Sequence, residues 1–288
     1  MLSKDNKYAL ILLTPAFALV IFLFIYPLSH SFYLSFFNYD LISGEQSFAG
    51  FKNYIRLFGD PDFLWSMARN LFYTAFVVTF NFIIGFAFAE LVIQKFPGRG
   101  AIQAVILLPM LLMPAADAIT WRMLYNTEFG LINNFLATIG LDRVTWLAQS
   151  STALLAVMIA DIWAWTPWMF LVLLAGLQSL PQDVFEAARV DGASTFKRWW
   201  NLTLPLMKPV IFVAITLKSV DTFRTFDYIW IMTKGGPGGA THVLSSFGYL
   251  IGFSTFRFGT AAAVSTVAFI LAFLLALGLI RFLMRRTQ

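Results

Sequence analysis

The chain has 288 residues, of which 59% are hydrophobic and 12% are charged, and its mean hydropathy of +0.75 excludes an ordinary water-soluble domain. The absence of cysteine excludes disulfides and thiolate metal sites, and the two histidines, His30 and His242, lack metal-ligand spacing. The net charge of +5 comes from cations scattered between apolar runs, a pattern that does not indicate a nucleic-acid partner.

Six apolar segments are each near the length of about 20 residues that a helix needs to cross a bilayer. They cover residues 8–27, 71–94, 102–121, 152–177, 209–233 and 260–282. We do not expect the first to be a signal peptide, because it is long and has no small-residue cleavage site before Tyr26 and Pro27. The sequence therefore predicts an all-α integral membrane protein with six transmembrane helices, folded as one domain over residues 1–288.

The distribution of lysine and arginine predicts how these spans are oriented. If the amino terminus is cytosolic, the inner segments carry more of these cations than the longer outer loops do. We therefore expect a multi-pass protein with both termini in the cytosol. This orientation also places the polar connection between the fourth and fifth spans, residues 179–208, in the cytosol.

That polar connection carries helix punctuation of its own. Ser179 is a candidate cap for a first short helix, Pro181 suits its first position, and Gly192 can take the positive φ that ends it. Ser194 is a candidate cap for a second short helix, which is expected to stop near Pro205. The sequence therefore predicts a cytosolic helix–turn–helix that can dock against another protein.

A motif in this connection resembles the signature of ABC importer permeases. It consists of E-A-A at residues 186–188, glycine at Gly192 and, after nine further residues, L-x-L-P at residues 202–205. Leucine stands at Leu202 where isoleucine is usual, which conserves volume. Other motifs, including F-x-N-Y at residues 51–54 and A-G-L-Q-S-L-P at residues 175–181, resemble the carbohydrate branch of that family, in the first of its two paired permeases. The resemblance covers nearly the whole chain in order.

The resemblance implies a set of partners. Such a permease forms a heterodimer with a second permease, binds homodimeric cytosolic ATPase subunits and receives substrate from an extracytoplasmic sugar-binding protein. This chain would then be a non-catalytic subunit of a bacterial or archaeal cytoplasmic membrane complex. It would hold no cofactor, because ATP and magnesium belong to the ATPase, and the sequence has no G-x-x-x-x-G-K-[ST] loop of its own.

The resemblance also implies which residues dock on the ATPase. They are Glu186, Ala187, Ala188, Asp191 and Gly192. The glutamate would meet a basic group of the ATPase, the alanines would permit close approach, and the glycine would shape the turn. The alternative is an amphipathic helix that lies on the membrane, with Trp199 and Trp200 as interfacial aromatic residues.

The fourth span contains five candidate substrate contacts. They are Asp161, Trp163, Ala164, Trp165 and Trp168. A carboxylate can accept hydrogen bonds from two sugar hydroxyls, and an indole can stack on the apolar face of a pyranose. Asp161, Trp165 and Trp168 are spaced to share one helical face, whereas Trp163 points elsewhere. In maltose-type relatives this turn contacts sugar, which implies contact for all but Trp165. The alternative is that the tryptophans pack against lipid or other helices and that the carboxylate pairs with a neighbouring span.

The fifth span carries a run of alternating charges, namely Lys218, Asp221, Arg224 and Asp227. Opposite charges three residues apart can pair along one helix and reduce the cost of burial, so the run can be purely structural. Asp221 and Arg224 can equally present an acceptor and a donor fork to a polyol, and the resemblance implies sugar contact for Thr222 and Thr225. The sequence leaves these two interpretations open.

We therefore predict the membrane subunit of an ATP-driven, binding-protein-dependent importer of a disaccharide, another small oligosaccharide or a polyol. An ion-coupled secondary sugar transporter is the alternative, although its usual pair of related halves is not visible. A membrane-embedded enzyme is the third class, and no nucleophile–base pair or metal cluster supports it. Anionic substrates also use this branch, so the sequence does not decide whether the substrate is neutral or charged.

Overall fold

Helices form nearly all of the secondary structure in the computed structural model, which describes residues 4–40, 42–94 and 96–284. The first part of the chain forms α1 (Lys4–Val20), a π-helical turn (Ile21–Ile25), α2 (Tyr26–Leu34), β1 (Phe37–Tyr39), β2 (Gln46–Phe48) and α3 (Lys52–Phe58). The middle part forms α4 (Pro61–Ile93), α5 (Arg99–Leu107), a 3-10 turn (Leu108–Leu111), α6 (Pro114–Leu124), α7 (Leu131–Thr138) and α8 (Ser150–Gln178). The last part forms α9 (Gln182–Val190), α10 (Thr195–Arg198), a π-helical turn (Trp199–Thr203), α11 (Leu204–Phe223), α12 (Asp227–Met232), α13 (Leu244–Tyr249), a π-helical turn (Leu250–Ser254) and α14 (Phe258–Met284).

Five helical runs in the described part of the chain are long and apolar enough to cross a membrane. They are Leu12–Leu34, Pro61–Ile93, Ser150–Gln178, Thr195–Phe223 and Phe258–Arg281. These runs correspond to the first, second, fourth, fifth and sixth predicted spans, although α4 begins at Pro61 instead of Leu71. The predicted membrane class and helical fold are therefore confirmed.

The third predicted span, residues 102–121, is a bent pair of helices instead of one straight helix. The run that begins with α5 meets α6 at an angle of 98°. Between them Leu112 and Met113 are extended, with ψ angles of 141° and 137°. Pro109 and Pro114 account for the break, because neither has an N–H to continue the helix and Pro114 disfavours a helical conformation in Met113.

The fifth predicted span, residues 209–233, is displaced towards the amino terminus. α10, the π-helical turn and α11 follow one another without a break, so one helical run covers Thr195–Phe223. The expectation that the second short helix stops near Pro205 is therefore wrong. In the π-helical turn the N–H of Leu204 bonds five residues back to Trp199, and the proline enters the first turn of α11, where its missing N–H is tolerated.

Contacts divide the described chain into two compact units. The first contains the residues up to 64 together with residues 247–270, and its β1 and β2 form a short antiparallel hairpin. The buried side chain of Asn53 donates hydrogen bonds to the carbonyl oxygens of Ser35 and Phe37, each at 2.9 Å. These bonds attach α3 to the beginning of the hairpin.

The second unit contains residues 65–246 together with those from 271 onward. Its central helix is α8, which packs against α5, α6, α11 and α12. One apolar cluster joins α4, α6, α8 and α12, and another joins α4, α8 and α11. Gly176 permits close packing in the second cluster, because a Cβ there would lie 2.7 Å from Val210 and 2.9 Å from Met207. α8 thus carries its polar residues into the centre of this unit.

Candidate functional site

The connection between α8 and α11 forms a pair of short helices with a glycine turn between them. α9 ends at Val190, and Gly192 has a φ of +72°, which confirms the predicted left-handed turn. The N–H of Gly192 also donates to the carbonyl oxygen of Arg189 at 3.0 Å. Ser194 caps the second helix as predicted, because its hydroxyl oxygen accepts from the N–H of Lys197 at 3.3 Å.

The expected start of the first short helix is wrong. Ser179 belongs to the end of α8, where its hydroxyl donates to the carbonyl oxygen of Gly176 at 2.8 Å. Pro181 occupies the cap position itself and not the first helical position. α9 therefore begins at Gln182 without a side-chain cap, and Asp183 supplies the negative charge that the first turn of a helix favours.

The residues implied for docking lie on the outer face of this element. They are Glu186, Ala187, Ala188, Asp191 and Gly192. All are exposed except Ala188, which is half-buried. The side chain of Val190 beside them is 88% exposed. The element therefore presents a surface of small and charged residues that a partner can approach closely.

The inner side of the same element contacts α4. Trp199 donates its indole N–H to the carboxylate of Glu90 at 3.1 Å. Its ring also packs edge-to-face on Phe86, with 5.9 Å between ring centres. Of the two tryptophans considered as interfacial residues, Trp200 is the exposed one, at 60%, whereas Trp199 is half-buried. Trp199 therefore joins the element to a transmembrane helix.

A polar cavity of about 330 Å³ lies in the second unit, beside α8 and the junction of α11 with α12. Six residues predicted from the sequence line it: Asp161, Trp165, Asp221, Thr222, Arg224 and Thr225. Five further residues complete the lining: Pro114, Lys218, Phe226, Asp227 and Tyr228. The fold thus gathers candidates from two separate spans around one space.

Three predicted candidates lie away from this cavity. Trp163 is 42% exposed and packs edge-to-face on Trp121, with 5.7 Å between ring centres. Ala164 is buried in the first apolar cluster, and Trp168 packs against the second. Trp168 therefore does not line the cavity, because its separation of about two helical turns from Asp161 takes it into a different layer of packing along α8.

Asp161 is the most constrained polar residue of the cavity. Its side chain is 3% exposed, and the hydroxyl of Tyr73 donates to Oδ2 at 2.7 Å. The ammonium of Lys218 lies 3.9 Å from Oδ1. A buried carboxylate is costly unless it is hydrogen-bonded and paired, so α4 and α11 both stabilise it in this position.

The charged run of the fifth span pairs along α11 only in part. The ammonium of Lys218 is 2% exposed, lies 3.4 Å from Asp221 and stands 4.4 Å from the centre of the Trp165 ring. Arg224, which is 78% exposed, contacts the other oxygen of Asp221 at 3.2 Å. Because α11 ends at Phe223, Asp227 begins α12 and is not a further step along the same helix.

Two buried polar atoms of the lining have no hydrogen-bond partner within the described residues. They are Oδ1 of Asp161 and the hydroxyl oxygen of Thr222, whose residues are 2% and 1% exposed. A buried polar atom without a partner costs free energy comparable to a lost hydrogen bond. Two residues of the lining therefore hold an acceptor and a hydroxyl whose hydrogen-bonding capacity the described part of the protein leaves unused.

Sequence reasoning did not identify the tyrosines that hold the buried carboxylates in this region, because each is far along the chain from the carboxylate that it contacts. Tyr73 lies 88 positions before the carboxylate that it contacts. Tyr228 donates its hydroxyl to Asp117 at 2.7 Å across 111 positions. Neither tyrosine carries a charge that would stand out in an apolar span. Lys218 was noticed only as a member of the charged run. Its contact with Asp161 could not be predicted, because it depends on the packing of α8 against α11.

Comparisons with known proteins show the family and the fold of the chain. The family described as "Binding-protein-dependent transport system inner membrane component" matches residues 8–288. The chain is 36% identical over 271 residues to the trehalose/maltose transport system permease protein MalF of Thermococcus litoralis, covering 93% of this chain and 90% of that one. It is 32% identical over 266 residues to the trehalose transport system permease protein SugA of Mycobacterium tuberculosis, covering 92% and 85%. The fold matches a chain of a bacterial ABC transporter for the acidic polysaccharide alginate, with a TM-score of 0.87 and 23% identity over 99% of this chain and 98% of that one.

Proposed function

The chain belongs to the family of binding-protein-dependent transport system inner membrane components, and from this premise we propose that it is the membrane subunit of an ATP-driven sugar importer. Its substrate would be a disaccharide, another small oligosaccharide or a polyol. The observation that carries the proposal is the cavity beside α8, whose buried Asp161 and Thr222 each have a polar atom without a hydrogen-bond partner among the described residues.

Sugar hydroxyls match this lining chemically. A hydroxyl can donate to Oδ1 of Asp161 and exchange a hydrogen bond with Thr222, which would satisfy both buried atoms. Tyr73 fixes the carboxylate in place, so little side-chain freedom is lost when a ligand arrives. Trp165 also lines the space, and its indole can offer apolar contact to a sugar ring.

The partners follow from the family and from the outer surface of α9. A second permease would complete the membrane pore as a heterodimer, and two identical cytosolic ATPase subunits would receive the surface around Glu186. An extracytoplasmic binding protein would deliver the sugar. ATP and magnesium would be bound by the ATPase, so this subunit transmits movement and performs no chemistry of its own.

The substrate charge needs a separate argument. Two similar proteins are named for trehalose or maltose, which are neutral, whereas another, 32% identical over 269 residues, is named for the sulfonated sugar sulfoquinovosyl glycerol. The fold is also shared with a transporter named for an acidic polysaccharide. The ion-coupled secondary transporter has no support from these comparisons, because the matching family is defined by binding-protein-dependent transport.

Reconstitution tests this function. A complex isolated through an affinity tag on this chain should contain an ATPase and a second permease. Proteoliposomes that hold the complex, with ATP inside and the binding protein outside, should accumulate a radiolabelled sugar chosen by a thermal-shift screen of that binding protein. Uptake by the chain alone, driven by a proton gradient without ATP, would overturn the proposal in favour of a secondary transporter.

A further inference from the structure

We propose that the cavity beside α8 selects neutral polyhydroxylated substrates and excludes anionic ones, an inference that rests on the function proposed above. Two independent observations support this selectivity: the charges of the lining residues, and the buried polar atoms that have no hydrogen-bond partner among the described residues. Together they name the class of sugar that this subunit carries.

The first argument is the charge of the lining. Carboxylates outnumber cations among the lining residues, which include Asp161, Asp221, Asp227, Lys218 and Arg224. The formal charge of this space is therefore negative. In a partly buried site, a like charge a few ångströms away opposes binding far more than it does in water.

The second argument is that both cations of the lining are already paired with a carboxylate. Lys218 is buried 3.4 Å from Asp221 and 3.9 Å from Asp161, and one side of its ammonium stands over the Trp165 ring. Arg224 contacts Asp221 at 3.2 Å. An anionic substrate would therefore meet cations that Asp221 already partly neutralises, and it would bring its charge close to that half-buried carboxylate.

The third argument concerns hydrogen donors. Oδ1 of Asp161 can only accept a hydrogen bond when the carboxylate is ionised, and it has no donor within hydrogen-bond reach in the described chain. A sugar hydroxyl has a proton to donate, whereas the ionised oxygens of a phosphate or carboxylate have none. A ligand that brings an anionic group to this oxygen would leave it unsatisfied and add repulsion.

The exposed guanidinium of Arg224 supplies the competing interpretation. Its side chain is 78% exposed, so one edge can meet a ligand while the other contacts Asp221. If that edge captured an anionic group, the cavity would favour acidic sugars. The experiment therefore includes a variant of this arginine.

Saturation-transfer-difference NMR on the complete transporter in nanodiscs tests the charge selectivity, because it detects the weak binding expected of a transport site. The probes are trehalose and maltose, with trehalose 6-phosphate and maltobionate as their acidic counterparts. We expect the acidic probes to bind at least about tenfold more weakly than the neutral ones. Acidic probes that bind as well as neutral ones, with binding lost in Arg224→Gln, would overturn the inference while leaving a sugar importer in place.

Charge-removing variants test the cause. Asp221→Asn should bring the affinity for trehalose 6-phosphate to within a few-fold of that for trehalose, since it releases two cations. Asp227→Asn, at an exposed position of the lining, should also raise the affinity for trehalose 6-phosphate and serves as the test if Asp221→Asn fails to assemble. Asp142→Asn, outside the cavity, should leave the affinities for all probes unchanged. Continued exclusion of the phosphate in both cavity variants would remove the inference. Failure of all four probes to bind would count against the proposed function itself, and the inference would fall with it.

Discussion

Trp199 and Glu90 are joined by a hydrogen bond of 3.1 Å between the indole N–H and a carboxylate oxygen. Trp199 lies in the π-helical turn that follows the exposed α9–α10 element, and Glu90 lies near the end of the transmembrane helix α4. The ring of Trp199 also packs on Phe86 of the same helix. A movement imposed on the element therefore reaches α4 through a directed bond as well as through packing.

The first prediction concerns this bond. Trp199→Phe keeps an aromatic ring against Phe86 but removes the donor of a hydrogen bond, and such a bond to a charged acceptor is worth about 1.5–3 kcal/mol. We expect the number of sugars imported per ATP hydrolysed to fall several-fold, with near-normal assembly. Trp200→Phe is the matched control, because that ring is exposed and is expected to have no effect. An unchanged ratio in Trp199→Phe would show that the bond does not transmit movement.

The second prediction concerns the turn at Gly192. Gly192→Pro cannot keep a φ of +72° and loses the N–H that bonds to Arg189, so the turn should be disrupted. We expect transport to fall at least about tenfold, with the spans still inserted and ATP hydrolysis no longer linked to uptake. Gly98→Pro is the control, since Gly98 also has a positive φ, of +82°, but lies in another loop. Equal losses in both variants would point to folding instead of docking.

The third prediction concerns the charge at the docking surface. Glu186 is exposed, so Glu186→Arg should cost little folding stability but should repel a basic group on the ATPase. We expect the amount of ATPase that copurifies with the tagged chain to fall several-fold. Gln182→Arg, exposed on the same helix, controls for a new cation near the membrane. Normal copurification with Glu186→Arg would exclude this residue from the interface.

Local sequence patterns predicted part of the local structure, namely the turn at Gly192 and the cap at Ser194, although they misplaced the start of α9 and the stop near Pro205. Gly192 was identified because few other residues adopt a positive φ, and Ser194 because its hydroxyl caps a helix start. Asp161 was identified because a carboxylate is rare in an apolar span. Each of these signals depends on the chemistry of one residue and its near neighbours.

The features that sequence reasoning missed depend on contacts between distant elements. Tyr73 supports Asp161 only because α4 and α8 pack side by side. Trp168 was expected to contact substrate together with Asp161, but it packs against a different apolar cluster, which the spacing along one helix cannot show. The bend before Pro114 is different, because Pro109 and Pro114 are visible in the sequence and could have indicated it. The other features require the tertiary arrangement of the spans.

The fourth prediction concerns the orientation of the chain in the membrane. Single cysteines are informative because the chain has none of its own. Ser47→Cys and Asp142→Cys lie at exposed positions of the expected outer loops, and both should react with a membrane-impermeant thiol reagent in intact cells. Gln182→Cys, exposed at the start of α9, should react only after the cells are opened. Labelling of this position in intact cells would reverse the proposed orientation and remove the docking surface from the cytosol.

The last prediction separates substrate contact from structural pairing at Asp161. Asp161→Asn keeps the shape of the side chain but loses the charged acceptor, while Lys218 retains its contact with Asp221 at 3.4 Å. Because the buried ammonium is not left alone, we expect the complex to assemble normally and its ATP hydrolysis to continue. Loss of a charge-assisted hydrogen bond of about 1.5–3 kcal/mol should reduce transport by roughly tenfold to a hundredfold.

Tyr73→Phe provides the comparison for Asp161→Asn. It removes the hydroxyl that donates to Asp161 at 2.7 Å but leaves the charges of Asp161 and Lys218 in place. If the carboxylate contacts sugar, Tyr73→Phe should weaken transport less than Asp161→Asn does, since it disturbs the position of the acceptor without removing it. Uptake of radiolabelled sugar and ATP hydrolysis, measured on the same proteoliposomes, distinguish the two roles. If assembly and both activities decline together in Asp161→Asn, the carboxylate serves to hold α8 against α11, and the sugar path must follow another face of the helix.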